Sequence, residues 1–175
     1  MDTTIERPIP AAARPFDDIT RPAATITVTR RLAAPAGRIF DAWLDAALTP
    51  LWLFATATRP IAHAVIDPRP FGKFELVAHE RGRATHFRGQ YLRIERLRRI
   101  AFALECPHEG PGLSQVDVVI READGVSDLR ILHSGVPAGR RRHWQARWIG
   151  MLYGLGTLLT QGDESGKVDG SGPLG

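Results

Sequence analysis

The stretch 144-WQARWIGMLYGLGTLL-159 sets Trp144, Trp148, Leu152, Leu155 and Leu159 at i, i+4, i+8, i+11 and i+15, one face of an α-helix. That spacing predicts a long helix laid against a sheet. Ile149, Met151, Tyr153 and Leu158 widen the apolar arc beyond what a flat contact needs, so a curved surface gripping the helix is expected. The same stretch carries Gly150, Gly154 and Gly156, each costing about 1 kcal/mol of helix propensity relative to alanine. Close approach of another element, or space for a guest, would offset that cost. Gly154, at the middle of the apolar region, is expected to face the sheet or its cavity, and Gly156, nearer the frayed end, to be neutral.

Upstream the chain supplies the sheet. ITVTRRL (26–32) alternates as a strand, with Ile26, Val28 and Leu32 on one face and Arg30 sharing that face. Pro35 opens a helix as a first-turn proline, followed at helical spacing by Ile39, Phe40, Trp43, Ala47 and Leu48. Pro50 interrupts it, and LWLFA (51–55) reads as a second short helical piece. From Ile61 the period becomes two. AHAVID, KFELVAHE, ATHFRGQYLRI, RIAFALE, SQVDVVIRE and SDLRILH read as six strands separated by Gly, Pro or charged turns. In ATHFRGQYLRI the apolar parity shifts from Phe87 and Tyr91 to Leu92 and Ile94, just past Gly89, which predicts a bulge or sharp bend. The fold class is α+β: a curved antiparallel sheet around a C-terminal helix, with two short helices after the first strand.

Residues 1–24 and 161–175 lack periodicity and read as tails, leaving one domain over 25–160. A hydrophobic content of 43% with 24% charged residues suits a folded core. The single cysteine, Cys106, excludes an internal disulfide framework and a cysteine-based zinc site. No apolar run reaches the roughly 18 residues of a membrane span, and the N-terminal stretch has no signal-peptide core, so a cytoplasmic protein is expected. The net charge of +4 is concentrated between the two acidic ends, with RLRR at 96–99 and RRR at 140–142. These runs fall at an expected turn and a helix start, where charge is ordinarily solvated, and no nucleic-acid motif accompanies them.

Taken together, APAGRIFDAWLD (34–45), Trp52, DPRPFGKF (67–74), GQYLRIE (89–95) with RRIAF (98–102), SQVDVVI, LHSGVP (132–137) and the Trp148/Leu152/Leu155/Leu159 stripe resemble the SRPBCC (START-like, helix-grip) superfamily. Within it they are similar to the C-terminal domain of the activator of heat-shock-protein-90 ATPase. Two positions depart from the family pattern: Phe71 and Arg147 stand where relatives usually have glycine. The resemblance implies a deep apolar cavity between sheet and C-terminal helix that takes a hydrophobic small molecule. The residues expected to line it are Arg30, Trp43, Trp52, Phe54, Phe74, Phe87, Tyr91, Phe102, His133, Trp148 and Leu152. Trp43 and Trp148 are expected partly in the core, Trp52 at the pocket mouth, and Arg30 either snorkelling or holding a ligand carboxylate.

No catalytic motif stands out. HSG at 133–135 lacks the glycines of a nucleophile elbow, and Glu75, Glu105, Asp117 and Glu122 fall on outer faces, so no acid/base pair forms. Six histidines show no metal-ligand spacing; no metal and no cofactor are expected. His133 shares the apolar face of Leu129 and Ile131, and His63 and Asp67 share a face with Val65, while His79, His86, His108 and His143 read as surface or turn residues. Two other functions stay open. One is a cyclase/aromatase- or hydrolase-like enzyme in which His133, Arg30 and Tyr91 orient a substrate. The other is a partner module acting on a chaperone ATPase. A monomer or homodimer suits either.

Overall fold

The computed structural model describes residues 23–164 apart from Arg81 and Pro111. Among the described residues seven strands run β1 (Ala23–Leu32), β2 (Ile61–Ile66), β3 (Lys73–Glu80), β4 (Arg83–Glu95), β5 (Arg99–Glu105), β6 (Leu113–Ala123) and β7 (Val126–Pro137). Helix α1 (Ala36–Leu44) follows β1, and helix α2 (Arg141–Glu164) is the last described element. All pairings are antiparallel, in the order β1-β7-β6-β5-β4-β3-β2. The six-strand meander is therefore as the alternation predicts, and β1 joins its far end beside β7.

The inner face carries Ile26 and Val28 on β1, Ile131 and His133 on β7, Val116 and Val118 on β6, Ile100 and Phe102 on β5, and Phe87 and Tyr91 on β4, all buried. α2 lies on this face. Trp144, Trp148, Leu152, Leu155 and Leu159 are buried as the helical stripe requires, and Met151 with them. Ile149 and Tyr153, however, are 43% and 62% exposed. The grip on α2 thus takes in the stripe with Met151 and part of Leu158, while Ile149 and Tyr153 stay outside it. α2 also continues to Glu164, past the expected end at 160. The tails at 1–22 and 165–175 lie outside the described residues.

Three local readings change. Pro35 is extended (ψ 154°) and precedes the helix rather than forming its first turn; Glu122 of β6 accepts the Ala36 N–H at 2.7 Å, filling a role that proline's missing side-chain cap leaves open. α1 stops at Leu44, before Ala47 and Leu48. Its last carbonyls are taken by side chains that arrive later: the Trp52 indole N–H donates to Ala42 O at 2.9 Å and the Thr49 hydroxyl to Asp45 O at 2.8 Å. The second helical piece is only a 3-10 turn, Thr49–Leu51, after which Trp52–Phe54 belongs to neither helix nor strand. Phe54 has φ +59°, which ends any helix there.

The β4 irregularity lies between Tyr91 and Arg93, with Leu92 as the extra residue, 38% exposed. Gly89 has a different function, since a Cβ at this point would strike the Phe74 ring.

Phe71 closes the turn from Asp67 to β3 with φ +65°, its ring 72% exposed. A glycine suits that backbone without steric penalty. Phe71→Gly is accordingly expected to raise stability by about 1 kcal/mol, read as a rightward shift of the urea midpoint; an unchanged or lower midpoint would refute it.

Candidate functional site

The space between sheet and α2 is filled by rings. Trp43 of α1 meets Trp52 edge-on with centroids 4.6 Å apart and lies 6.1 Å from Phe102 and 6.3 Å from Trp148. Phe54 stacks on Phe87 at 4.3 Å, and Phe74 packs edge-on against Phe102 at 5.3 Å and tilted against Tyr91 at 5.4 Å. The strands and α1 set these side chains on the inner face by parity alone. Trp52 and Phe54 reach it because the chain turns sharply after Pro50. Ten of the eleven residues expected from the sequence are brought together: Trp43, Trp52, Phe54, Phe74, Phe87, Tyr91, Phe102, His133, Trp148 and Leu152 are all at most 5% exposed.

Arg30 is not among them. It lies at the β1 edge, its guanidinium 3.9 Å over the exposed Tyr153 ring, so it packs along α2 and does not point into the interior. Trp52 is 2% exposed, so it forms part of the core and not the mouth. Of the expected deep apolar cavity, little free volume is found among the described residues. A space of about 10 Å³ remains, walled by Trp43, Thr49, Leu53, Ile66, Phe74, Tyr91 and Phe102, whereas small-molecule sites need roughly 300 Å³. Aromatic side chains occupy the rest. Within this packing the indole N–H of Trp43 has no hydrogen-bond partner among the described residues.

The glycines of α2 serve contact unevenly. A methyl at Gly154 would sit 3.7 Å from Trp52 Cβ, ordinary contact with the loop and not the sheet. At Gly156 it would come 3.3 Å from Arg30 Nη2 and 3.5 Å from Leu32 Cδ2, so this position, expected to be neutral, is the tighter one. Gly150 meets nothing within 4 Å. Gly154→Ala is therefore expected to stabilise by up to about 1 kcal/mol, with Gly156→Ala gaining less; thermal melts in the reverse order would contradict this.

His133 is fully buried and fully engaged. The Trp148 indole N–H donates to Nδ1 at 3.0 Å, which places the ring proton on Nε2, 2.9 Å from Ser114 Oγ. The Ser114 hydroxyl in turn donates to Leu104 O at 3.2 Å. Neither ring nitrogen is left for a substrate, and Arg30 stands elsewhere, so the residues of the enzyme reading do not assemble. Burial holds His133 down to about 4 from the ordinary 6.5, with Glu109 opposing weakly. The unfolded chain binds a proton near pH 6.5 that the native chain refuses until near pH 4. Stability from this group is complete above pH 6.5 and is lost as pH falls towards 4, by on the order of 3 kcal/mol. Urea melts from pH 7 to pH 4.5 should show that slope, and His133→Gln should flatten it; equal slopes would exclude His133 as the cause.

His63 and Val65 both face solvent on β2, so the pair with Asp67 forms no site. Cys106 is buried and its thiol is pushed up to about 12, as burial disfavours the thiolate. Among the described residues no group of His, Cys, Asp and Glu could hold a metal ion. No helix of the described residues is long and apolar enough to cross a membrane.

A second cluster adjoins the rings, and the sequence reading missed it. Arg147 donates from Nη1 to Glu109 Oε1 at 2.9 Å, with its guanidinium over Phe87 (4.7 Å), Trp144 (5.1 Å) and Phe54 (5.5 Å). His108 and His143, expected at the surface or in turns, lie 3.5 and 3.4 Å from the same oxygen. The departure from glycine at Arg147 was the sequence signal, but its partner lies 38 residues away.

Residues 33–160, well over half of the chain, match the family described as Activator of Hsp90 ATPase homolog 1-like protein. The chain belongs to this family. Among solved structures, protein CV1439 from Chromobacterium violaceum is similar at 26% identity and TM-score 0.69, over 77% of this chain and 96% of that one. The AHSA1-like protein from Aeromonas hydrophila aligns at 17% identity and TM-score 0.68 over 87% and 100%. A protein of unknown function from Staphylococcus aureus reaches TM-score 0.75 at 11% identity over 84% and 99%, a likeness of fold alone. No curated protein matches the chain. Membership of the Activator of Hsp90 ATPase homolog 1-like family, within the SRPBCC helix-grip superfamily, implies a hydrophobic ligand-binding cavity typical of that fold.

Proposed function

We propose that this family member binds an apolar small molecule between the sheet and α2, and that the Trp52–Phe54 segment gives way to admit it. The supporting observation is the construction of the interior: regular elements supply walls of Phe, Tyr and Trp, while Trp52, Leu53 and Phe54 fill the middle from a stretch that is neither helix nor strand. Phe54 sits at φ +59°, a conformation that bulky residues adopt only at a cost of order 1–3 kcal/mol. Its withdrawal would release that strain. The unpartnered Trp43 indole N–H would then face the vacated volume and orient a ligand oxygen.

Native mass spectrometry of the purified full chain reports any co-purified molecule directly. A titration with Nile red, a neutral apolar dye, supplies the decisive measurement. Saturable one-to-one binding is expected, and Phe54→Ala, which removes the ring the ligand must displace, should tighten it. Absence of saturable binding in both proteins would overturn the reading.

A further inference from the structure

Beside the rings, a groove of about 630 Å³ runs between the α1–β2 loop, the β5–β6 connection and the first turns of α2. Arg59, Arg140 and Arg147 line it from three directions in sequence, with Glu109 between them. Arg140 Nη2 lies 3.3 Å from Glu109 Oε2, and Arg147 holds the other oxygen. Three guanidinium charges thus face one carboxylate. Among the described residues, Arg147 Nη2, Arg140 Nε and Arg59 Nε are buried donors without an acceptor, three against one buried acceptor without a hydrogen bond, Glu109 Oε2. Arg147 is the most telling of these, since its side chain is only 10% exposed. Buried donors without acceptors, and like charges in an apolar setting, are both costly arrangements.

The electrostatics agree. Burial first, and the nearby Arg59 charge second, pull Arg147 down to about 10, which still leaves it charged at neutral pH. α2 opens with Arg141 and Arg142 and has no acidic residue in its first turn, so its positive dipole end is flanked by further positive charge. A single group would relieve all of these costs: an oxyanion in the groove.

We propose that this groove binds a small organic oxyanion, a carboxylate or a phosphate ester, gripped by Arg59, Arg140 and Arg147. Glu109 holds Arg147 by one edge of its fork and leaves Nη2 to the ligand. The rings of Phe87 and Trp144 hold the guanidinium plane in place beforehand. Ala55, Ala146 and Met151 give the groove apolar stretches for the body of the molecule. The site stands whether or not the interior opens, because Arg59, Glu109, Arg140 and Arg147 all line the groove as it is.

Isothermal titration of the full chain with sodium hexanoate, inorganic phosphate and hexanamide tests the proposal. Saturable binding of hexanoate or phosphate is expected, with the stronger of the two identifying the ligand class, and hexanamide should bind at least tenfold more weakly. Arg147→Met, which keeps the apolar stem on Phe87 and Trp144, and Arg59→Gln, whose side chain makes no bond to Glu109, should each weaken oxyanion binding tenfold or more with an unchanged circular dichroism spectrum. Nile red, being neutral, should bind both variants as it binds the wild type, which separates this site from the interior. No saturable binding of either anion, equal binding of the amide, or undiminished binding by folded Arg147→Met or Arg59→Gln would overturn it.

Discussion

Gly89→Ala is expected to cost about 3 kcal/mol or more, among the largest losses any single methyl could cause in this chain. The added carbon would fall onto Cε1 and Cζ of Phe74 and within 2.5 Å of the Ala103 carbonyl oxygen. Neither neighbour has room to retreat. Phe74 is 5% exposed and wedged between Tyr91 and Phe102, and Ala103 belongs to β5, where its partner on β4 is Gln90, next to the glycine itself. Gly139→Ala is the control, for nothing lies within 4 Å of a Cβ there. Urea unfolding should separate the two by several kcal/mol; a Gly89→Ala loss within 0.5 kcal/mol of the control, about the spread of ordinary surface substitutions, would show that the ring moves freely.

Trp148→Ala should be comparably severe, at about 3–5 kcal/mol for the lost ring alone. Trp148 is fully buried among Trp43, Phe54 and Trp144, and its indole N–H is the donor that satisfies His133 Nδ1. Removing it leaves both a void and a buried acceptor without its donor. Trp148→Phe keeps most of the bulk and loses only the hydrogen bond, so the difference between the variants measures packing. Combining Trp148→Ala with His133→Ala should then cost less than the sum of the single losses, a coupling of about 0.5–3 kcal/mol. Strict additivity would mean that the Trp–His bond contributes nothing.

Period was enough to find the strands and the buried stripe of α2, because burial on one face writes itself into alternation and into i, i+4 spacing. It could not show which flanks of α2 stay wet. Ile149 and Tyr153 are as apolar as Met151, and only the extent of the sheet decides that they remain exposed. The aromatic site was legible residue by residue for the same reason: inward parity on β4 and β5 and helical spacing on α1 and α2 both point at one volume. Whether that volume is empty depends on the backbone after Pro50, where Phe54 adopts a left-handed conformation that neither period describes. Parity left Arg30 open between snorkelling and a ligand contact because it reports the face of a strand and not the position along it; at the sheet's edge the guanidinium meets Tyr153. The Arg147–Glu109 cluster was hidden in a plainer way. Each charge looks like a solvated residue in its own segment, and their meeting exists only once the 3-10 turn Pro107–Glu109 and α2 have been brought side by side.

The placement of β1 beside β7 reaches back to how the chain is made. Among the described residues, the strand earliest in the sequence, β1, has one neighbour in the sheet, and that neighbour is the latest, β7. Until Val126–Pro137 has emerged, Ile26, Val28 and Leu32 have no ladder to join, and the loop to be closed spans nearly the whole fold. A chain interrupted in synthesis before β7 therefore carries β1 loose, beside a meander that lacks both its last member and the helix that covers it.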